Sequence, residues 1–375
     1  MKILIAHFRP DIVSGAELAI ADMVVKRSDG FEYVMLTPGE GKLADYYRSR
    51  GFPVWARKVQ SRRRKYPGLH TLQSLWFAQR LKRAAVDAVL CNTFPAAGRV
   101  GTACRLARKP YAIYVREYIR DVPLHRRVLQ KADLTFAVSR DVASYLQPMA
   151  PPDCICTAYD HLDIDPILQR VARHRTSGTR LMPFKQEHPV VGTIGRITAY
   201  KQQDLFLRAV PLILADVPTA RFVIVGSAVA REQDYENSLA RLVADLGVEN
   251  QVVFLGQHAD AIEIMSELAV CCLTSDREPF PRTVLEAQAV GCPVVASDTG
   301  GCPEMVQDGA TGLLFPAAAR NAAQNLAEQV SRVLRHPGFA QGLAAKAQGR
   351  VRATFGSRAP VLEVEARLRS LARLS

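Results

Sequence analysis

No stretch of the chain approaches the roughly 18 consecutive apolar residues that a bilayer-spanning helix needs; the best runs, such as Phe222 to Ala230, are strand-length. The opening Met1 to His7 holds one lysine, too short an apolar run and no small-residue cleavage site. It therefore reads as a first strand and not as a secretory leader. There is no C-x-x-C pair, although there are eight cysteines: Cys91, Cys104, Cys154, Cys156, Cys271, Cys272, Cys292 and Cys302. Most lie inside apolar runs, so they are expected as buried thiols in a reducing cytosol and not as zinc ligands. No G-x-G-x-x-G joins a strand to a helix with an acidic residue about 20 positions on, which argues against a dinucleotide oxidoreductase. No zinc, RNP or helix-turn-helix pattern is present either, and no nucleic-acid partner is expected.

What is present is an ordinary globular composition, 48% hydrophobic and 23% charged over 375 residues, enough for two domains with real cores. The net charge of +13 is unevenly placed. Residues 1–180 carry 30 Lys/Arg against 16 Asp/Glu, while 181–375 carry 19 against 20. A basic half beside a neutral half suggests that the first domain meets something anionic: a lipid surface, a phosphorylated acceptor or nucleic acid.

Short β-type runs alternate with helical segments through both halves. In the first they are Lys2 to His7, Tyr33 to Thr37, Pro53 to Ala56, Ala88 to Asn92, Tyr111 to Val115 and Leu134 to Val138. In the second they are Val190 to Gly195, Phe222 to Gly226, Val252 to Leu255, Val270 to Leu273 and Pro293 to Ser297. Such alternation predicts an α/β fold of two doubly wound parallel-sheet domains, spanning 1–175 and 185–356. The join falls in the polar, Arg-rich stretch from Asp165 to Pro189, where neither period is clear. A last amphipathic segment, 357–375, is open to either domain, and a return to the first is the expected arrangement.

Ligands of open α/β sheets bind beyond the carboxyl ends of the strands, where loop N–H groups collect. After Val190 to Ile194 comes Gly195-Arg196-Ile197-Thr198-Ala199-Tyr200-Lys201. Two cations at a helix start repel the dipole unless an anion lies between them, so the pair suits a diphosphate; the alternative is a solvated turn. After Val270 to Leu273 comes Glu278-Pro279-Phe280-Pro281-Arg282-Thr283-Val284-Leu285-Glu286. Pro281 suits a first helical turn, which puts Glu286 on that helix and Glu278 on the loop before it. Glu286 stands among apolar neighbours and needs donors such as paired sugar hydroxyls; two solvated glutamates are the alternative. Gly300-Gly301 precede Pro303-Glu304 in a third loop, and Gly256-Gln257-His258 is placed to edge a nucleotide base.

In this order and within about 110 residues, these motifs resemble the retaining GT-B-fold glycosyltransferases of family 4 (glycosyltransferase group 1). Gly195-Arg196 with Lys201, Gly226, Phe254-Leu255-Gly256, the E-x7-E pair Glu278 and Glu286, Gly300-Gly301 with Pro303-Glu304, and Gly309 to Leu314 carry the likeness. It implies two Rossmann-like domains facing across a cleft, an acceptor domain first and a nucleotide-sugar domain second. It also implies Arg196 and Lys201 on the donor diphosphate, Glu278 on the transferred sugar and Glu286 on the ribose, with the backbone of Phe280, Pro281, Arg282 and Thr283 close by. Pro281 stands where the family often has glycine, so one amide donor is lost there. Val13-Ser14-Gly15-Ala16-Glu17 matches the glycine-rich loop near the scissile bond with Gly15 alone. Asn92, Arg116 and Glu117 are acceptor-side candidates, the last two also readable as a structural ion pair; His7 is open to packing or function.

The resemblance implies transfer, with retention, of a sugar from a nucleoside diphosphate, UDP first, to a lipid-linked or glycan acceptor of the cell envelope. The rival reading is a scaffold that binds the nucleotide sugar without turnover. No cofactor or metal is expected; Asp163-Ile164-Asp165 looks like a D-x-D motif, but two carboxylates alone make a weak metal site. The run Arg62-Arg63-Arg64-Lys65 is a candidate for an anionic membrane surface or a solvated loop. A cytoplasmic chain, peripheral on the inner membrane face, is the matching expectation.

Overall fold

The computed structural model describes residues 1–11, 15–57 and 67–373, without the side chains of 67–70. The chain forms two compact units, Met1–Leu162 with Ser357–Ser375, and Asp163–Gly356.

Among the described residues the first unit holds seven strands: β1 (Lys2–Ala6), β2 (Glu32–Thr37), β3 (Val54–Ala56), β4 (Ala88–Cys91), β5 (Tyr111–Val115), β6 (Leu134–Ala137) and β7 (Ile155–Thr157). They are ordered β3-β2-β1-β4-β5-β6-β7 with every pair parallel. The central strands are buried on both faces, which is why Ile-Leu-Ile-Ala and Ala-Val-Leu-Cys run without polar alternation. The second unit repeats the plan with β8 (Val190–Ile194), β9 (Arg221–Val225), β10 (Val252–Gly256), β11 (Val270–Leu273), β12 (Val294–Ser297) and β13 (Leu313–Phe315). Their order is β10-β9-β8-β11-β12-β13, again all parallel. Phe206, Phe222, Phe315 and Leu326 are fully buried in its core. The winding reverses between β1 and β4 in one unit and between β8 and β11 in the other, so each has a switch point where ligands of such sheets collect.

Two features differ from the sequence expectation. The division falls at Leu162/Asp163, not near residue 175, because 164–177 is a helix of the second unit (Ile164–Ser177) and not a structureless join. Its Ile164, Ile167 and Val171 are buried, a stripe masked in the sequence by Arg170, Arg173, His174 and Arg175. Arg170 pairs with Glu263 (2.6 and 2.8 Å) and His174 with Glu267 (2.7 Å), and Gly178, at φ +66°, ends the helix. Asp163 and Asp165 are accordingly the N-cap and first turn of this helix. The other difference is a pair of short edge strands absent from the expected runs, β7, which holds Ile155 and Cys156 just after Cys154, and β13.

The C-terminal helix Ala359–Arg373 belongs to the first unit, burying Val361, Val364 and Leu368. Glu365, 2% exposed, accepts from the Ser28 amide (3.0 Å) and the Tyr33 hydroxyl (3.2 Å). All eight cysteines are free thiols, six buried and two partly buried. Among the described residues no helix is long and apolar enough to cross a membrane.

Candidate active site

The loops that follow β8, β9, β11 and β12 are stitched together by backbone contacts that only glycine permits. Gly195 lies at φ +151° and Gly226 at φ +139°; a methyl group on Gly226 would fall 1.8 Å from the Gly195 carbonyl oxygen. Gly195 N–H donates to Val225 O (2.9 Å) and Gly226 N–H to Gly256 O (2.8 Å). A Cβ on Gly300 would lie 2.2 Å from the Glu278 carbonyl, and Gly301 N–H donates to that same oxygen (2.8 Å). The glycines picked out from the sequence thus fix loop against loop.

Lys201 is aimed by this framework. Residues Ala199–Lys201 make one 3-10 turn, and Gln202 follows at φ +49°, a left-handed conformation costly for a side-chain-bearing residue. The Thr274 hydroxyl at the end of β11 holds it, donating to the carbonyls of Lys201 and Gln202, each at 2.9 Å. Asp276 N–H adds a bond to Tyr200 O (2.8 Å). The Lys201 ammonium then hydrogen-bonds the carboxylate of Glu278, their side chains 13% and 10% exposed, while Ser275 Oγ donates to the same oxygen (3.1 Å). Burial alone pulls the ammonium down; the charge and hydrogen bond of Glu278, with Tyr200, outweigh it and hold Lys201 above the ordinary lysine value. Lys201 is therefore a buried cation, held in its charged form by Glu278, at a sheet switch point.

Arg196 is exposed, and its charge opposes that of Lys201. The repulsion expected between two cations at a helix start is thus answered within the protein by Glu278, beside whatever anion binds. Glu286 does lie on the helix Arg282–Val290 and Glu278 on the loop before it, but Pro281 is the N-cap, not a first-turn residue. Glu286 finds a donor one turn back: Arg282 Nε is 3.2 Å from its Oε1, the side chains 13% and 17% exposed. Burial and the Glu286 charge push the Cys271 thiol up to about 12. Phe280 is buried and packs edge-on to Phe355 at 5.6 Å, anchoring the loop, and Thr283 is half-buried. Gln257 is exposed, and the partly exposed His258 accepts from Asp260 N–H (3.3 Å).

At the switch point of the first unit, Arg116 does not pair with Glu117, which is exposed. Its guanidinium, 7% exposed, grips Asp160 (2.8 and 3.1 Å), Asn92 Oδ1 (2.7 Å) and Asn92 O (2.9 Å). Arginine only donates, so Asn92 turns its oxygen to Arg116 and its Nδ2 to His7 Nδ1 (3.3 Å) and Ala16 O (3.2 Å). His7 Nδ1 is then an acceptor, leaving Nε2–H for the Tyr47 oxygen (3.2 Å). Burial, with the Arg116 charge behind it, lowers His7 to about 3, so the ring is neutral. Gly15 opens the helix Gly15–Val25, while Val13 and Ser14, and the run Arg62-Arg63-Arg64-Lys65, lie outside the described residues. Tyr47, Asp160, Thr274 and Ser275 are members of these two clusters that the sequence does not disclose: none belongs to a motif, and only the fold brings them in.

Comparison with known proteins follows the same division. The pattern described as "Glycosyl transferases group 1" matches residues 182–350, and "Glycosyltransferase Family 4" matches residues 13–165. The chain is 31% identical over 267 residues to a GDP-mannose-dependent alpha-(1-6)-phosphatidylinositol monomannoside mannosyltransferase of Mycolicibacterium smegmatis, covering 68% of this chain and 66% of that protein. It is 38% identical over 170 residues to a D-inositol 3-phosphate glycosyltransferase of Frankia alni, covering 44% and 40%. The match thus spans less than two thirds of either relative. The crystal structure of Anabaena Alr3699/HepE in complex with UDP and glucose superposes with a TM-score of 0.82 at 24% identity, covering 99% of this chain and 100% of that one. At that identity the likeness is one of fold, the GT-B fold of two Rossmann-like domains.

Proposed function

The chain belongs to the group 1 glycosyltransferases of family 4, and on that premise we propose that it moves a sugar from a nucleoside diphosphate to a hydroxyl of a lipid-linked or glycan acceptor, with retention. The observation that carries this reading is the buried Lys201 ammonium, kept charged by Glu278 at the β8/β11 switch point among glycine-bearing loops. Breaking the bond between the anomeric carbon and phosphate sends its electron pair to the diphosphate. Fixed cations that meet this developing charge lower the barrier directly. Lys201 has three N–H donors, so one stays on Glu278 while the others reach phosphate oxygens; Arg196 adds a fork from the exposed side. The acceptor oxygen bonds to the anomeric carbon on the same face, and its proton passes to the departing phosphate oxygen. No side-chain nucleophile or metal enters this scheme, and turnover is expected to survive excess EDTA.

Glu278 is assigned to the transferred sugar and Glu286 to the ribose hydroxyls. The backbone from Phe280 to Thr283 and the Gln257-His258 turn complete the donor pocket. Asn92, Arg116 and Glu117 remain the acceptor-side assignment. Arg116 acts there through Asn92, since its Nε and Nη1 are already bonded inside the unit. The Anabaena structure, which holds UDP, favours uridine as the base. The name of the M. smegmatis relative, GDP-mannose-dependent, favours guanosine as the second reading, and its phosphatidylinositol acceptor favours envelope glycolipid synthesis.

Calorimetry with UDP, GDP and ADP, then slow hydrolysis of a panel of their sugars, tests the proposal. One diphosphate binding in the micromolar range, with hydrolysis of a matching sugar donor, is the expected result. Binding without hydrolysis of any donor supports the scaffold reading, and no binding of any diphosphate overturns both.

A further inference from the structure

A buried ion pair is by itself weak evidence for stability, because apolar residues of similar volume often serve as well. The Arg116–Asp160 pair at the carboxyl edge of the first sheet therefore asks for another reason. Asp160, 5% exposed, stands three residues past the end of β7. The chain leading to it is pinned: the fully buried Tyr114 hydroxyl donates to Ala158 O (2.7 Å), and Ala158 N–H donates to Ala137 O (2.8 Å). Tyr114 also offers its ring face to Arg116, whose guanidinium carbon lies 3.5 Å from the ring centre. A carboxylate and an aromatic plane thus hold Arg116 in one orientation, and there its Nη1 meets Asn92 Oδ1.

An asparagine amide is nearly symmetrical in shape and opposite in polarity at its two ends, so a half-turn of the group exchanges donor for acceptor at little steric cost. Arg116 forbids that turn at Asn92, since a guanidinium has no acceptor to offer. The Nδ2 hydrogens are thereby directed to His7 Nδ1 (3.3 Å) and Ala16 O (3.2 Å). These acceptors belong to different elements: His7 follows β1, and Ala16 lies in the first turn of the helix Gly15–Val25. Were the amide to turn over, its oxygen would face the Ala16 carbonyl and push that turn away. We propose that Asp160 is a positioning residue for the transfer step: through Arg116 it fixes which way the Asn92 amide faces, and through Asn92 it holds the start of Gly15–Val25 in place. The role rests on the glycosyltransferase reading, in which the Gly15 turn lies beside the bond that breaks. Asp160 touches neither donor nor acceptor in this scheme.

The test uses the full chain, and its first readout needs no donor. Asp160→Asn keeps the size of the side chain and removes the charge that anchors Arg116. Amide exchange followed by mass spectrometry is expected to quicken roughly tenfold or more in Gly15–Val25 through local opening. It is expected to stay parental in the seven-stranded sheet and in the helix Gln203–Asp216 of the second unit. Asn92→Asp covers the case in which the first variant does not fold: it keeps the shape, leaves the Arg116–Asp160 pair intact and deletes both Nδ2 donors, so the same local change is expected. Parental exchange in Gly15–Val25 in either folded variant overturns the proposal. Faster exchange throughout the sheet in both assigns Asp160 to stability alone and overturns it too. With a hydrolysed donor in hand, kcat of Asp160→Asn is expected about tenfold or more below the parent with KM within a factor of about two, because a misplaced loop acts on the step and not on donor capture. A raised KM with parental kcat overturns the positioning role. A parent that hydrolyses no donor removes the reaction and not the ordering of the helix by Asp160, so the two readings fail separately.

Discussion

At the scale of single residues, the Lys201–Glu278 pair decides both charge and shape at the proposed donor site. Lys201→Met strands a buried carboxylate and is expected to cost about 3–5 kcal/mol in denaturant unfolding. It is also expected to lower kcat by on the order of a hundredfold or more through the lost phosphate contact. Glu278→Gln removes the charge that lifts Lys201 and keeps the burial that depresses it. The alkaline limb of kcat/KM is therefore expected at lower pH in Glu278→Gln than in the parent; superimposable limbs would remove Lys201 from the chemistry. In the other unit, His7 is neutral down to about pH 3, whereas in the unfolded chain it takes up a proton near 6.5. The unfolded state then binds the extra proton, so stability falls as pH drops below 6.5 and goes on falling until the native ring protonates. Between pH 6.5 and 5 this single group is worth about 2 kcal/mol. Urea midpoints of His7→Gln are expected to lack that increment relative to the parent.

At the scale of elements, the loops matter as a set. Gly226→Ala is expected to push the Gly195 loop off its neighbour, because no rotamer relieves an overlap between a Cβ and a carbonyl oxygen. A fall in activity of more than about tenfold with a lowered Tm is the expected outcome, given the roughly 1–3 kcal/mol typical of such overpacking. Parental activity would mean that these two loops do not position the cations. Strands such as Tyr111–Val115 and Val270–Leu273 are legible from sequence to the residue, since a doubly buried parallel strand is a short unbroken apolar run. The helix Ile164–Ser177 is not, because its three buried positions are outnumbered by charges that serve distant partners. The same holds at the sites: Arg196, Lys201, Glu278 and Glu286 are legible by type and order. The bond between Lys201 and Glu278, 77 residues apart, and that between Arg116 and Asp160, 44 apart, are made only by the fold.

At the scale of the molecule, the cysteines report on the cores of both units. Six of the eight are buried, and burial pushes the partly covered Cys156 thiol up to about 11. A hydrophilic disulfide reagent at pH 7.5 is expected to titrate no more than two thiols in the native protein, Cys154 and Cys156, and all eight after unfolding. A larger native count would show that one of the cores opens readily. The division of the chain has a further consequence for its birth on the ribosome. Residues 163–356 form one unit from a continuous stretch, whereas the unit begun before them is closed by a helix made after them. Tyr33 and the Ser28 amide are translated more than 330 residues ahead of the Glu365 carboxylate that receives them. The amino-terminal sheet must therefore wait, incompletely covered, while the carboxy-terminal one is synthesised and folds. Nascent chains stalled before residue 357 are the place where chaperone dependence and proteolysis of this protein should concentrate.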